Sequence, residues 1–213
     1  MTMPIPTVTI ERGDGRSVLA GDAVFKDWHM SSSNIRSLRD AVIDIVGRYE
    51  RGTTVLMADV NSMEHRKLDI SLLKELKTRK VSIWLMTYIE DADDLFDAFY
   101  MNIDSLIVPY HLTSSDAALK EMNTVSDRTI PAVFADGRTA RSRLRDEPLE
   151  DVIRRIEDMG FHSVAVVETS GTYDDGMWKE LFDRHEMIIP FAPGGEKTAK
   201  ALGEMGFKDV VML

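Results

Sequence analysis

The residues of this chain best suited to chemistry are carboxylates that end short apolar runs. Ile130-Pro131-Ala132-Val133-Phe134-Ala135 has no helical period and stops abruptly in Asp136-Gly137-Arg138. Such a run reads as a strand buried on both faces, as in a parallel sheet covered by helices. In barrels of alternating strands and helices, the carboxyl ends of the strands carry the active site. Asp136 is therefore a candidate for acid–base work, or a cap on the turn that follows it. Composition leaves both open. Asp59 and Glu168 end apolar runs in the same way, and could position substrate hydroxyls or simply cap their loops. Asn61 and His65 follow Asp59 in one loop. Of the five histidines, His111 follows the run Ile103–Val108 and should face the same open end. His162 and His185 fall at the opposite rim, as structural residues, and His29 sits beside Trp28 in an early loop that could act as a lid. Arg138, Arg141, Arg143 and Arg145 form a basic run after Asp136. Arg138 is expected to clamp an anion through two N–H groups, and the other three to lie in a loop balanced by Asp146 and Glu147.

No two histidines have metal-ligand spacing, and neither a Walker loop nor a dinucleotide fingerprint occurs, so no metal and no cofactor is expected. With 213 residues, 44% hydrophobic and 29% charged, the chain can build one sizeable core, either a barrel or a doubly wound sheet. The absence of cysteine excludes disulfides, cysteine metal sites and cysteine nucleophiles, and fits a cytoplasmic protein. A net charge of −10 argues against nucleic-acid partners. No apolar run approaches the ~20 residues that span a bilayer, and no signal-peptide pattern opens the chain, so no membrane partner is expected. The thirteen methionines read as gap-filling core.

The elements that must position these residues alternate regularly. Strands are predicted at Pro6–Ile10, Thr53–Asp59, Val81–Met86, Ile103–Val108, Ile130–Ala135, Ser163–Val167, Met187–Phe191 and Asp209–Leu213. Helices are predicted at Ile35–Glu50 behind Asn34, after Asp69, from the acidic Glu90–Asp97, and from Ser115 to Met122. Three more follow at Pro148–Met159, Asp175–Arg184 and Glu196–Met205, the first and last stopped by Gly160 and Gly206. Arg16–Ala20 reads as a short return strand, Gly21–Ser33 as a long loop, and Asn61–Lys67 as a loop. Strand then helix, seven times over, with a last strand, predicts a single-domain (β/α)8 TIM barrel over residues 1–213, lacking its last helix. An open doubly wound sheet is the alternative, because strand count alone does not show closure. Met159-Gly160-Phe161 and Met205-Gly206-Phe207 echo one another as a half-barrel repeat would. Val210, Val211 and Leu213 cannot all point inward, so an outer groove should be covered by a second subunit, as a homodimer, or by Met1–Pro6.

Several motifs fall at matching strand ends. They are Ile5-Pro6 followed by Glu11 and Asp14-Gly15, Met57-Ala58-Asp59-Val60, Phe134-Ala135-Asp136 through Arg138, and Ala192-Pro193-Gly194-Gly195. On these the chain resembles the histidine-biosynthesis barrels, ProFAR isomerase and its cyclase relative (HisA/HisF), and above all the archaeal isomerase-related group. The resemblance implies an Amadori-type, aldose–ketose isomerase with a carboxylate pair, Glu11 and Asp136, at the ends of strands one and five. Those two ends face each other across an eight-stranded ring. Thr9 takes the first position if no two-residue insertion precedes it. Gly194 and Gly195 would bind phosphate through backbone N–H groups, helped by Lys197. Asp59, Asn61, His111, Arg138 and Glu168 would contact substrate. The chain departs from the family at Leu85-Met86-Thr87-Tyr88 and Pro109-Tyr110-His111, where glycine-rich phosphate loops are expected, and after the last strand, where Gly-Arg is expected. Those departures imply a smaller phosphorylated, sugar-like metabolite with at most one phosphate, rather than the histidine-pathway reaction. A lyase or transferase of cofactor biosynthesis, or a non-catalytic binding barrel, are the other readings this scaffold allows.

Overall fold

The computed structural model describes residues 5–13, 17–26, 29–32, 51–68, 81–100 and 103–213. The strands in chain order are β1 (Thr7–Gly13), β2 (Ser17–Lys26), β3 (His29–Ser32), β4 (Thr54–Asp59), β5 (Ser82–Met86) and β6 (Ser105–Pro109). They continue as β7 (Thr129–Asp136), β8 (Thr139–Ala140), β9 (Glu147–Pro148), β10 (Val164–Glu168), β11 (Ile188–Ala192) and β12 (Val211–Met212). Strands β1, β4, β5, β6, β7, β10, β11 and β12 pair in that order, all parallel. Ile5 closes the ring. Its N–H donates to Val210 O at 2.7 Å, and its carbonyl accepts from Met212 N at 3.0 Å. Paired residues can be followed from Ile5 through Val211, Phe191, Val167 and Phe134. Carried on across β6, β5 and β4 at their registers, the path returns to β1 at Gly13, eight residues further along. That stagger is the one an eight-stranded barrel of this type requires, and it removes the open-sheet alternative.

The pleat sorts side chains into two cores. Leu56, Ala58, Met86, Ile107, Ala132, Phe134, Val167, Phe191 and Val211 fill the lumen. The alternate residues Val55, Met57, Leu85, Val108, Val133, Val166 and Ala192 pack outward against helices. These helices are α1 (Val60–His65), α2 (Ala92–Phe99), α3 (Asp116–Val125), α4 (Leu149–Asp158), α5 (Asp175–Arg184) and α6 (Gly195–Met205). Ser115, Asp91 and Asp174 cap α3, α2 and α5 by accepting from backbone N–H groups of the first turn. The repeated Met-Gly-Phe places Gly160 and Gly206 at positive φ and buries Phe161 and Phe207 beneath each turn. Val210 is buried in the outer core within this chain, while Val211 and Leu213 belong to the lumen. The expected helix Ile35–Glu50 and the helix after Asp69 lie outside the described residues. Among the described residues, no helix is long and apolar enough to cross a membrane.

Two local expectations are corrected, and a third region gains detail. Most of Gly21–Ser33, read as a loop, is strand: β2 runs to Lys26 and pairs with β1 and β3 in an antiparallel meander. Gly21 and Asp22 interrupt any apolar alternation there, so only cross-strand pairing reveals it. The segment after Asp59 is helix α1 rather than a loop, because Asp59 caps it. Asp136-Gly137-Arg138 is the turn of a hairpin, with Asp136 opposite Thr139 and Gly137 at φ 56. A two-residue connection of this kind needs positive φ at its first position, which glycine supplies without strain. β8 in turn pairs with β9, so a small antiparallel flap rises from the end of β7.

Candidate functional site

The flap leans over one side of the barrel mouth and encloses a cavity of about 310 Å³. Its floor is the top of the lumen: Val60, Met63 and Phe134. Its walls come from three elements that are far apart in sequence. Helix α1 and its C-cap contribute Glu64 and Arg66, the turn after β6 contributes His111 and Leu112, and the flap contributes Arg141, Ser142 and Arg143. Three guanidinium groups thus meet one carboxylate, in a chain whose net charge is −10. Arg66 stands just past α1 with left-handed backbone, φ 50 and ψ 52. A side chain other than glycine pays roughly 1–2 kcal/mol for that conformation, and such strain collects where function holds a residue in place.

His111 lies edge-on against Phe134, ring centroids 4.9 Å apart at 71°. Its Nδ1 is buried and has no hydrogen-bond partner among the described residues. Burial first, and then the positive charges of Arg141 and Arg66, push its pKa down to about 3. The ring is therefore neutral over the physiological range, suited to donating or accepting one hydrogen bond rather than to carrying charge.

Behind the cavity a polar cluster fastens the flap. Tyr110, wholly buried, donates to Asp116 at 2.9 Å and accepts from Arg155 at 2.8 Å and Arg143 at 3.2 Å. Arg143 lies 4.5 Å over the Tyr110 ring, donates to Thr113 Oγ1 at 2.9 Å, and forms an ion pair with Asp116. Arg155 binds Glu147 at 2.5 Å. Both arms of the flap, Arg143 on one side and Glu147 on the other, are thereby held to a single tyrosine. Arg143 spends its donors on this fastening.

The structure separates the residues that sequence reasoning grouped together. His111 lines the cavity. Asp136 is exposed at the rim, in the phase of the lumen-facing Phe134. Asp59 and Glu168 are both 1% exposed but fall one residue out of that phase. Asp59 accepts from Ser62 N at 3.1 Å and Thr87 Oγ1 at 3.4 Å, and also from the Ser62 hydroxyl. Glu168 accepts from Ser170 N at 2.6 Å. Asp59 thereby caps helix α1 and Glu168 caps the loop after β10, both on the helix side of the wall. Asn61 is half-buried in the first turn of α1 and does not line the cavity. Arg138 points away from the mouth and pairs with Glu180 of α5. Gly194 and Gly195 both have positive φ, and Gly194 is exposed before α6, on the β11 side of the ring. Glu11 lies in β1 opposite Leu19, beyond the last residue of β1 that pairs with β4. Thr9, beside Ala58, is buried in the lumen wall. Sequence reasoning missed Glu64, Arg66 and Arg141. Arg141 was visible in the basic run, but only the flap's pairing gives its direction. Among the described residues, no group of three or more histidine, aspartate or glutamate side chains is placed to hold a metal.

No protein-family model and no curated protein matches the chain. Among solved structures it is similar to the HMG-CoA lyase of Bacillus subtilis, with a TM-score of 0.58 and 16% identity, covering 80% of this chain and 67% of that one. The chain folds as a TIM barrel. At that identity the likeness extends to the scaffold alone, since this barrel hosts many chemistries.

Proposed function

We propose that this barrel is an enzyme that binds a small anionic metabolite in the mouth cavity and moves a proton on it. The observation that carries this is the convergence of Arg66, Arg141 and the neutral His111 over the lumen floor at Phe134. A cavity of about 310 Å³ suits a small metabolite better than a dinucleotide. Two guanidinium groups favour one phosphate or carboxylate group. Glu64 and His111 are the titratable groups close enough to share such a ligand, and a carboxylate with a neutral imidazole can serve as base and hydrogen-bond donor for a proton shift beside a carbonyl.

Within that class, an isomerase of the ProFAR isomerase-related group is the reading the sequence motifs support, with Asp136 at the rim of the fifth barrel strand and Glu11 after the first. The substrate would be sugar-like and carry at most one phosphate. Gly194 and Gly195 offer a second place for that phosphate. A lyase would begin with the same proton transfer and end in bond cleavage.

The test is thermal shift against a panel of small phosphorylated and carboxylated metabolites, run on the native chain and on an Arg66→Met, Arg141→Met double variant. Compounds that raise the melting temperature of the native chain and not of the variant are expected, and product analysis of those compounds then separates isomerisation from cleavage. A panel that stabilises both proteins equally, or neither, overturns the proposal.

A further inference from the structure

We infer that a second copy of this chain docks on the outer side of the flap. The two copies are joined about a two-fold axis, Leu144 of each seated in a groove at the flap base of the other. The contact is independent of the chemistry proposed for the mouth cavity, and its surface is not the one beside the last strand.

One half of the contact is a knob. Leu144 stands at the flap tip and is 96% exposed, more than any other large hydrophobic side chain among the described residues. A lone exposed leucine is ordinary on a protein surface. This one is held out rigidly. Arg143 before it bonds to the Tyr110 hydroxyl and Asp116, and Glu147 after it is tied to the same hydroxyl through Arg155. With the tip fixed on both sides, little conformational freedom is left to lose when it is covered.

The other half is a hole. At the flap base a groove of about 210 Å³ opens between α4 and α5. Pro148 of β9, Leu149 of α4, and Met177 and Leu181 of α5 give it an apolar floor. It is smaller than the cavities that enclose metabolites, and suits an aliphatic side chain. Its rim sets three carboxylates, Glu150, Asp151 and Glu180, against one guanidinium, Arg138. Glu180 pairs with Arg138 and Arg184, and Glu150 pairs with Arg184. Asp151 is held more loosely. Its ion pair with Arg154, on the same helix, is 3.6 Å long, and the carboxylate side chain is 54% exposed. Arg145, exposed beside Leu144, carries the charge that Asp151 lacks.

Knob and hole belong to one flap. Leu144 is at its tip, and β8 pairs with β9 at its base, where Pro148 follows Leu144 by four residues. A two-fold contact requires both complementary features on one face of the subunit, so that each meets the other across the axis. Two flaps laid antiparallel, tip to base, satisfy this at both ends, with Leu144 over the apolar floor and Arg145 against Asp151. A contact made twice strengthens a small interface, and its closure stops the association at two copies.

The test is sedimentation of the full chain from about 1 to about 500 μM, with substitutions confined to exposed positions. The native chain should pass from monomer to dimer within that range. Leu144→Asp should weaken the dimer by about a hundredfold or more, as loss of a central apolar anchor does. Arg145→Asp and Asp151→Arg should each weaken it by about tenfold, and the two combined should recover most of the loss, because the pair is then reversed. Melting temperatures at the lowest concentration, where every form is monomeric, show that each variant folds. A native chain that stays monomeric throughout overturns the inference and leaves the groove to another occupant. A dimer that survives Leu144→Asp unweakened, a double variant no tighter than its two parents, or assemblies larger than two overturn it as well.

Discussion

Replacing Tyr110 by phenylalanine isolates the fastening of the flap from the packing beneath it. The ring keeps its volume and its contact with the Arg143 guanidinium, 4.5 Å above it. What disappears is one hydroxyl that bonds to Asp116, Arg155 and Arg143 at 2.9, 2.8 and 3.2 Å. Hydrogen bonds to charged groups contribute about 1.5–3 kcal/mol each, which would suggest a large loss. Two facts reduce it. Arg143 and Arg155 keep Asp116 and Glu147 as partners, and both arginines retain access to water, with 19% and 34% of their side-chain surface exposed. A net cost of about 2–3 kcal/mol follows, mostly for leaving buried donors with one partner fewer. For a chain of this length that lowers the melting temperature by about 5–10 °C. Urea denaturation should show a lower midpoint with an unchanged slope, since the same surface is exposed on unfolding. Affinity for sulfate, a probe anion for the mouth cavity titrated by calorimetry, should fall too, because Arg141 is carried by the flap that Tyr110 holds. A stability change below about 0.5 kcal/mol with full sulfate affinity would refute the view that Tyr110 fastens the flap.

Arg138→Ala tests the opposite placement. Arg138 is 63% exposed and paired only with Glu180 among the described residues, so its loss should change stability by no more than about 0.5 kcal/mol and leave sulfate affinity unaltered; a large loss of affinity in the titration would restore it as an anion clamp. Glu147 supplies a pH dependence. Its hydrogen bond to Arg155 first, with help from Ser142, holds its pKa at about 2, below the ordinary 4.5. Because the folded carboxyl titrates below the unfolded one, this stabilisation is complete above about pH 4.5 and is lost as pH falls towards 2. The stability gap between the native chain and Glu147→Gln, followed by denaturation across that range, should therefore shrink on acidification, and a constant gap would contradict the pairing.

The alternation of apolar runs and amphipathic helices determined the order of strands and helices without help from tertiary structure. Ile130–Ala135 reads as a doubly buried strand because every position in it is apolar, and so it is. That same property is why the sequence did not determine the site. A strand apolar on both faces carries no period-2 signal, so nothing in it says which neighbour looks into the lumen. Asp59, Asp136 and Glu168 end their strands alike, yet the pairing registers turn Asp136 to the lumen phase and Asp59 and Glu168 to the helix side, where Asp59 caps α1 and Glu168 caps its loop. Closure was equally hidden: it depends on two hydrogen bonds of Ile5 and on a stagger that only the assembled ring possesses. The cavity itself joins residues from after β4, from after β6 and from the flap beyond β7. Local composition fixes which residues are arginine or histidine. Only the shared barrel mouth, built by contacts distant in sequence, decides that Arg66, His111 and Arg141 face one another while Arg138, two residues past Asp136, faces away.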